Sequence, residues 1–189
     1  MSLIPAFEIG VWNAWIFMSS FLLQWLAVSL AGKRVSQRTG HPSDMKRSKS
    51  DQRIGIATMI TWLIVTIYSI FLPLQLGTIW LYIGLGFFLA GLIILTIATL
   101  NFATAPHDKP ITGGFYRYSR HPMYLAGFLI YIGTSLASAS WLFLLLTIVS
   151  VVLTRLEAIL EETHCLKRYS NAYREYINRT PRWIGIPKS

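Results

Sequence analysis

Residues 78–100 read TIWLYIGLGFFLAGLIILTIATL, 23 residues without a charged side chain. As an α-helix this stretch is about 35 Å long, enough to cross the roughly 30 Å hydrocarbon core of a bilayer. A helix on the surface of a soluble domain shows a polar face, and this one has none. The fold is therefore read from a membrane span outward. Apolar blocks recur at about 11–31, 54–76, 122–138 and 141–160, so the expectation is an all-α integral membrane protein with five transmembrane helices. Gly84, Gly86, Ala90 and Gly91 give the 78–100 span a small-residue face for close packing. Pro73 is expected to kink or end the span before it, and the short turn around Gly77 predicts a tight hairpin between the two.

The whole chain agrees with this reading. Of its 189 residues 53% are hydrophobic and 13% charged, a balance far more apolar than that of soluble domains. No Ser/Gly/Pro-rich linker or internal repeat divides it, which makes residues 1–189 one membrane domain. Nothing before the first block carries Lys or Arg, so that block reads as a retained span rather than a secretory signal. The formal charge of +9 is carried by groups that flank the spans, which points to membrane lipid and away from nucleic acid. A single cysteine, Cys165, beside Lys167 and Arg168, excludes an internal disulfide and implies a reducing cytosolic face. His41, His107 and His164 lack the paired spacing of metal ligands, and no metal is expected.

The basic residues also set the topology. Seven lie between residues 32 and 53 (Lys33, Arg34, Arg38, Lys46, Arg47, Lys49 and Arg53), three in the loop 101–121, Arg155 at the end of the fifth block and six in the tail, which accounts for all 17. Five spans with the N-terminus outside and the C-terminus in the cytoplasm put every one of them on the inner side. The tail from Glu161 shows Leu166, Tyr169, Tyr173, Tyr176 and Ile177 at helical spacing and predicts a C-terminal amphipathic interfacial helix, stopped by Thr180 and Pro181. Trp183 and Ile184 then either dip into the headgroup layer or cover the inner loop.

Chemistry concentrates where 101–121 and 161–189 meet, on the cytosolic face. The run from Gly114 to Tyr124 carries Tyr116, Arg117, Arg120, His121, Pro122 and Tyr124. Pro122 suits the first turn of a helix, whose N-terminal N–H groups and dipole favour an anion, and Arg120 and His121 add to that preference. The alternative is a loop that anchors the protein among headgroups. Two passes of about 20 residues bring the chain from His121 back to the same face at Glu161 and Glu162. With Glu157 one turn earlier, these acids require nearby cations. Either internal ion pairs answer them, or a zwitterionic ligand sets its amine against the glutamates and its carboxylate against Arg120 and His121.

Thr112 to Tyr124, then Glu161 and Glu162, then Tyr169, Tyr173, Tyr176 and Pro181 resemble the isoprenylcysteine carboxyl methyltransferase and phospholipid methyltransferase superfamily over roughly the C-terminal 80 residues. Those enzymes carry Arg-His-Pro-x-Tyr, a Glu-Glu pair after one more helical hairpin, a Phe-Gly-x-x-Tyr-x-x-Tyr tail and a Val-Pro. Here Phe115 stands where Pro is frequent, Cys165 where Leu is usual, Tyr169 and Ser170 replace Phe-Gly, and Thr180 replaces Val. The resemblance implies that Tyr116, Arg120, His121, Pro122, Tyr124, Glu161 and Glu162 bind S-adenosylmethionine. It implies methyl transfer to a lipophilic acceptor at the cytosolic membrane face.

A carboxylate such as an isoprenylcysteine-type acid needs no general base, only an arginine to hold it, and Arg117, Arg155 and Arg174 stand at the inner level for that task. Phospholipid amine methylation is the next alternative. An NAD(P)H-dependent reductase of the sterol-reductase-like kind is another, although such chains are usually much longer.

Overall fold

The computed structural model describes residues 3, 6–30, 48–106 and 108–187, with the side chains of 27–30 excepted. Of the first basic loop, Lys33, Arg34, Arg38, His41, Lys46 and Arg47 lie outside the described residues, as does His107. Among the described residues there are five helices, α1 (Trp15–Leu30), α2 (Lys49–Ile70), α3 (Ile79–Thr104), α4 (Pro122–Ala137) and α5 (Trp141–Arg179), with a 3₁₀ turn at Gly114–Arg117 before α4. No strand occurs among the described residues; one isolated bridge pairs Asn13 with Pro73. Among the described residues three helices, α2, α3 and α5, are long and apolar enough to cross a membrane, whereas α1 and α4 are apolar but have 16 residues each.

Helix ends depart from the hydropathy blocks where local polar chemistry intervenes. Ser48 and Asp51 form a capping box, each side chain bonding the other's backbone N–H at 3.1 Å. This draws Lys49 to Arg53 into α2 ahead of its apolar part. Pro73 lies beyond the end of α2 at Ile70. The turn that follows is tied to the N-terminal segment through Ala14 N to Leu72 O at 2.8 Å and Leu74 N to Trp12 O at 2.9 Å.

Consecutive α2 and α3 do not form the expected packed hairpin. The close partner of α3 is α4, and that of α2 is α5. Gly84 and Gly91, two turns apart on α3, make the α3–α4 contact. A Cβ on Gly84 would stand 2.5 Å from Gly133 O, and one on Gly91 would stand 2.8 Å from Ala126 O. Gly86 and Ala90 are exposed, with open space around Gly86. Across the other contact Tyr68 Oη lies 3.2 Å from Ser140 Oγ, and its ring is 6.1 Å from that of Phe143.

Packing among the described residues gathers a cluster at each end of the bundle and a third, Leu95, Ala126 and Ile130, in the α3–α4 contact. Of the end clusters one, toward the α2–α3 and α4–α5 turns, gathers Ala14, Phe17, Met18, Val65, Leu72, Tyr131 and Phe143. The other, at the opposite end, gathers Ala98, Tyr116, Tyr173 and Tyr176. Between them large side chains such as Ile67, Ile93, Ile148 and Val152 are more than half exposed, which is the arrangement of helices that face lipid.

The tail helix does not begin at Glu161; the break that sets off the last turns of α5 lies at Ser170. α5 runs unbroken past Leu160 through Glu161 and Glu162, and its one irregularity is Ser170, with φ 47° and ψ −119°. Changing from an apolar to a charged face does not interrupt the backbone hydrogen bonds, so composition alone misplaces this boundary.

Candidate active site

Loop 113–121 is built so that its side chains meet the polar part of α5. Gly114 has φ +60°, and a Cβ there would collide with the Asn101 amide. Tyr116 and Ser119 turn inward and are buried. Pro122 occupies the first turn of α4, with His121 as its cap residue. Ser119 Oγ accepts from His121 N at 3.0 Å and donates to Arg182 O at 3.2 Å.

Glu162, almost fully buried, is the centre of the site. Arg120 donates to its Oε1 through Nε at 3.0 Å, with Nη2 also at 3.0 Å, and His121 Nε2 is 3.1 Å from the same oxygen. Arg182 grips it from the other side, Nε to Oε1 at 3.0 Å and Nη2 to Oε2 at 2.7 Å. Burial alone would raise the Glu162 pKa. The hydrogen bonds of His121 and Arg182 and the charges of Arg120 and Arg182 outweigh that and hold it at about 2.

Glu161 faces differently. Its side chain is 40% exposed. Tyr124 Oη donates to its Oε1 at 2.6 Å, and its Oε2 is 3.5 Å from His121 Nδ1. His121 thus stands between two carboxylates, with its ring stacked on Tyr124 at 5.4 Å. Burial works against its charge, but the hydrogen bonds that it donates to Glu161 and Glu162 prevail and raise its pKa above the ordinary 6.5. A carboxylate opposite each ring nitrogen suits the doubly protonated imidazolium.

The segment after α5 folds back over the loop. Tyr176 Oη donates to Tyr116 O at 2.6 Å, Arg120 N to Pro181 O at 3.1 Å and Gly185 N to Tyr118 O at 3.1 Å. Trp183 covers the site, its ring 6.1 Å from that of His121 and 5.7 Å from that of Phe128, while Ile184 stays exposed. Of the residues singled out in the sequence, Arg120, His121, Tyr124, Glu161 and Glu162 therefore come together around one point. Tyr116 and Pro122 shape the loop beneath them. Arg117, Arg155 and Arg174 are exposed and line neither of two clefts next to the site.

Those clefts flank the site. The larger, about 640 Å³, opens between α2 and α5 and is lined by Gln52, Met59, Trp62, Tyr131, Thr154 and Glu157, among others. The smaller, about 310 Å³, lies at the end of α5 and carries Arg120, Arg179 and Arg182.

A family model described as phospholipid methyltransferase matches residues 74–172, just over half of the chain. The chain belongs to the phospholipid methyltransferase family. It is thereby part of the integral membrane methyltransferase superfamily that also holds the isoprenylcysteine carboxyl methyltransferases, and membership implies a methyltransferase enzyme. No curated protein matches the chain.

The match to the phospholipid methyltransferase family takes in Arg120, His121, Tyr124, Glu157, Glu161 and Glu162 and stops before Arg182 and Trp183. Arg182 is the residue that reading the sequence missed. Its signal lies in Thr180-Pro181-Arg182: Thr180 and Pro181 end the helix, and the chain returning over α5 delivers the next side chain to Glu162.

Proposed function

We propose that the chain is an S-adenosylmethionine-dependent methyltransferase acting on a lipid-borne acceptor from the cytosolic face of a membrane. The reading includes five spans, the N-terminus outside and the C-terminus in the cytoplasm. Its support is the joined set of Glu161, Tyr124, His121, Glu162 and Arg120, inside the family match, with Arg182 joining it from beyond the match, at the end of an apolar bundle. The set fits the methionine end of the donor: a half-exposed carboxylate for the ammonium, guanidinium groups for the carboxylate, and aromatic faces for a sulfonium. When bound, the donor supplies an electrophilic methyl group. The protein's own part is orientation and exclusion of water, for which Trp183 lies over His121 and Phe128.

For the acceptor, the larger cleft favours a phospholipid amine over a carboxylate. Among the described residues Glu157 is its charged lining residue, and no described Lys or Arg lines it. Glu157 precedes Glu161 by one helical turn, about 6 Å along α5. A carboxylate there attracts an ammonium headgroup and can take up the proton that the amine must lose before it attacks. Met59, Trp62 and Tyr131 give the rest of the cleft an apolar wall suited to an acyl chain.

The test has two steps. Calorimetry of the detergent-purified protein should show binding of S-adenosylhomocysteine and none of NADPH, and the reverse sinks the donor assignment. Labelled donor should then methylate a phosphatidylethanolamine better than a farnesylated cysteine analogue or free phosphoethanolamine. Preference for the farnesylated acid refutes the amine, and equal turnover of the lipid-free compound refutes access through the membrane.

A further inference from the structure

An inventory of guanidinium donors separates the two arginines on Glu162. A guanidinium has five N–H groups. Arg120 commits four of them: Nε and Nη2 to Glu162 Oε1, and Nη1 to the carbonyls of Ile177 and Thr180, both at 3.1 Å. Those last two carbonyls belong to the end of α5, so Arg120 staples the helix end to the loop. Its side chain is 8% exposed. Arg182 commits two, Nε and one N–H of Nη2, both to Glu162, and its side chain is 31% exposed. Among the described residues no group accepts from its Nη1. Arg182 also lines the 310 Å³ cleft together with Arg120 and Arg179, and none of the described residues that line it is acidic.

We infer that Arg182, and not Arg120, is the residue that receives the carboxylate of the methyl donor's amino-acid end. The inference rests on the S-adenosylmethionine reading given above. Glu162 then acts as a scaffold: its two oxygens fix the plane of the Arg182 guanidinium, so that the outward N–H pair is presented without loss of side-chain freedom on binding. The ligand's ammonium is left to Glu161, the more exposed of the two acids. His121 bridges the two carboxylates, 3.5 Å from one and 3.1 Å from the other, and holds the two poles in fixed relation.

The experiment compares S-adenosylhomocysteine with 5′-methylthioadenosine, which keeps the nucleoside and thioether but lacks the amino acid. Wild-type protein should prefer the first. Arg182→Gln should weaken S-adenosylhomocysteine at least about tenfold and leave methylthioadenosine unchanged, so that the preference collapses; Arg182→Lys should restore it in part. Arg120→Gln should instead lower the unfolding temperature and weaken both ligands together. Arg182→Gln that leaves the preference intact, or weakens both ligands equally, overturns the assignment. Loss of binding to phosphatidylglycerol vesicles with S-adenosylhomocysteine affinity intact would assign the guanidinium to a lipid phosphate and overturn it also. Wild-type protein that binds neither nucleoside refutes the donor reading itself, and this inference falls with it.

Discussion

Arg120 and Glu162, 42 residues apart, meet with two nitrogens of the arginine on a single carboxylate oxygen, Nε and Nη2 both 3.0 Å from Oε1. His121 and Arg182 converge on the same carboxylate, so one buried acid answers three basic side chains. Removing it leaves them facing one another. Glu162→Gln is therefore expected to destabilise the fold by about 3 kcal/mol or more. Glu161→Gln, at a half-exposed side chain, should cost less than about 1 kcal/mol but weaken S-adenosylhomocysteine about tenfold. Denaturation and calorimetry on the two variants check this, and equal effects on stability would remove the distinction between a scaffold acid and a ligand acid.

The same cluster predicts a stability plateau in pH. His121 has its folded pKa raised above 6.5, so its contribution is complete below 6.5 and is lost as pH rises through the folded value. Glu162 has its folded pKa lowered from 4.5 to about 2, so its contribution is complete above 4.5 and is lost as pH falls toward 2. Stability should thus be greatest between the two and decline on both sides. Thermal unfolding in detergent across pH reads it out. His121→Gln should flatten the alkaline limb alone; an unchanged alkaline limb in that variant means that His121 does not carry a charge in the folded protein.

Ser170 interrupts α5 with φ 47° and ψ −119° and is exposed. Glycine adopts that region readily, and other residues hold it at a cost of order 1–3 kcal/mol. It stands where the resembling enzymes carry the Gly of Phe-Gly. Ser170→Gly, although it frees the unfolded chain, should stabilise the protein by about 1 kcal/mol. Ser170→Ala is the control and should bring no gain. A loss of stability in the glycine variant would show that the break in α5 is not strained.

Much of this molecule was legible before its fold. Hydropathy blocks locate the five described helices because a long apolar run has one economical conformation where water is absent. Arg120, His121, Glu161 and Glu162 were expected to share a level because the two passes between them are of fixed length, and they do meet, with Tyr124 on Glu161. What the sequence hides is which neighbour answers which. Gly84 and Gly86 look alike in the chain, yet only Gly84 meets α4, since one helical face is selected by tertiary packing. Arg182 is one of six basic residues in the tail, and its role depends on how the segment after Pro181 folds back. The capping box of Ser48 and Asp51 was readable as a motif but sits ahead of the apolar pattern that sets the expected boundary.

Topology is the remaining prediction, and the short helices are its hardest part. α4 has 16 residues, about 24 Å, less than the roughly 30 Å of the hydrocarbon layer. Non-helical backbone at membrane depth is tolerated where protein covers it. The turn that follows α4 meets that condition: Ser138 and Ser140 are fully buried, Ser138 Oγ donates to Thr134 O at 2.7 Å, and Ser140 Oγ accepts from Phe143 N at 3.2 Å. α4 can therefore serve as a span without reaching the outer surface by itself. With five spans, all 17 Lys and Arg fall on the inner side. In a Cys165→Ser background, Arg53→Cys and Arg179→Cys, both at exposed positions, should react with a membrane-impermeant maleimide only after the cells are opened. Leu76→Cys, exposed in the α2–α3 turn, should react in intact cells. If Arg53→Cys and Arg179→Cys label from opposite sides, the number of spans between them is odd and the five-span arrangement is wrong.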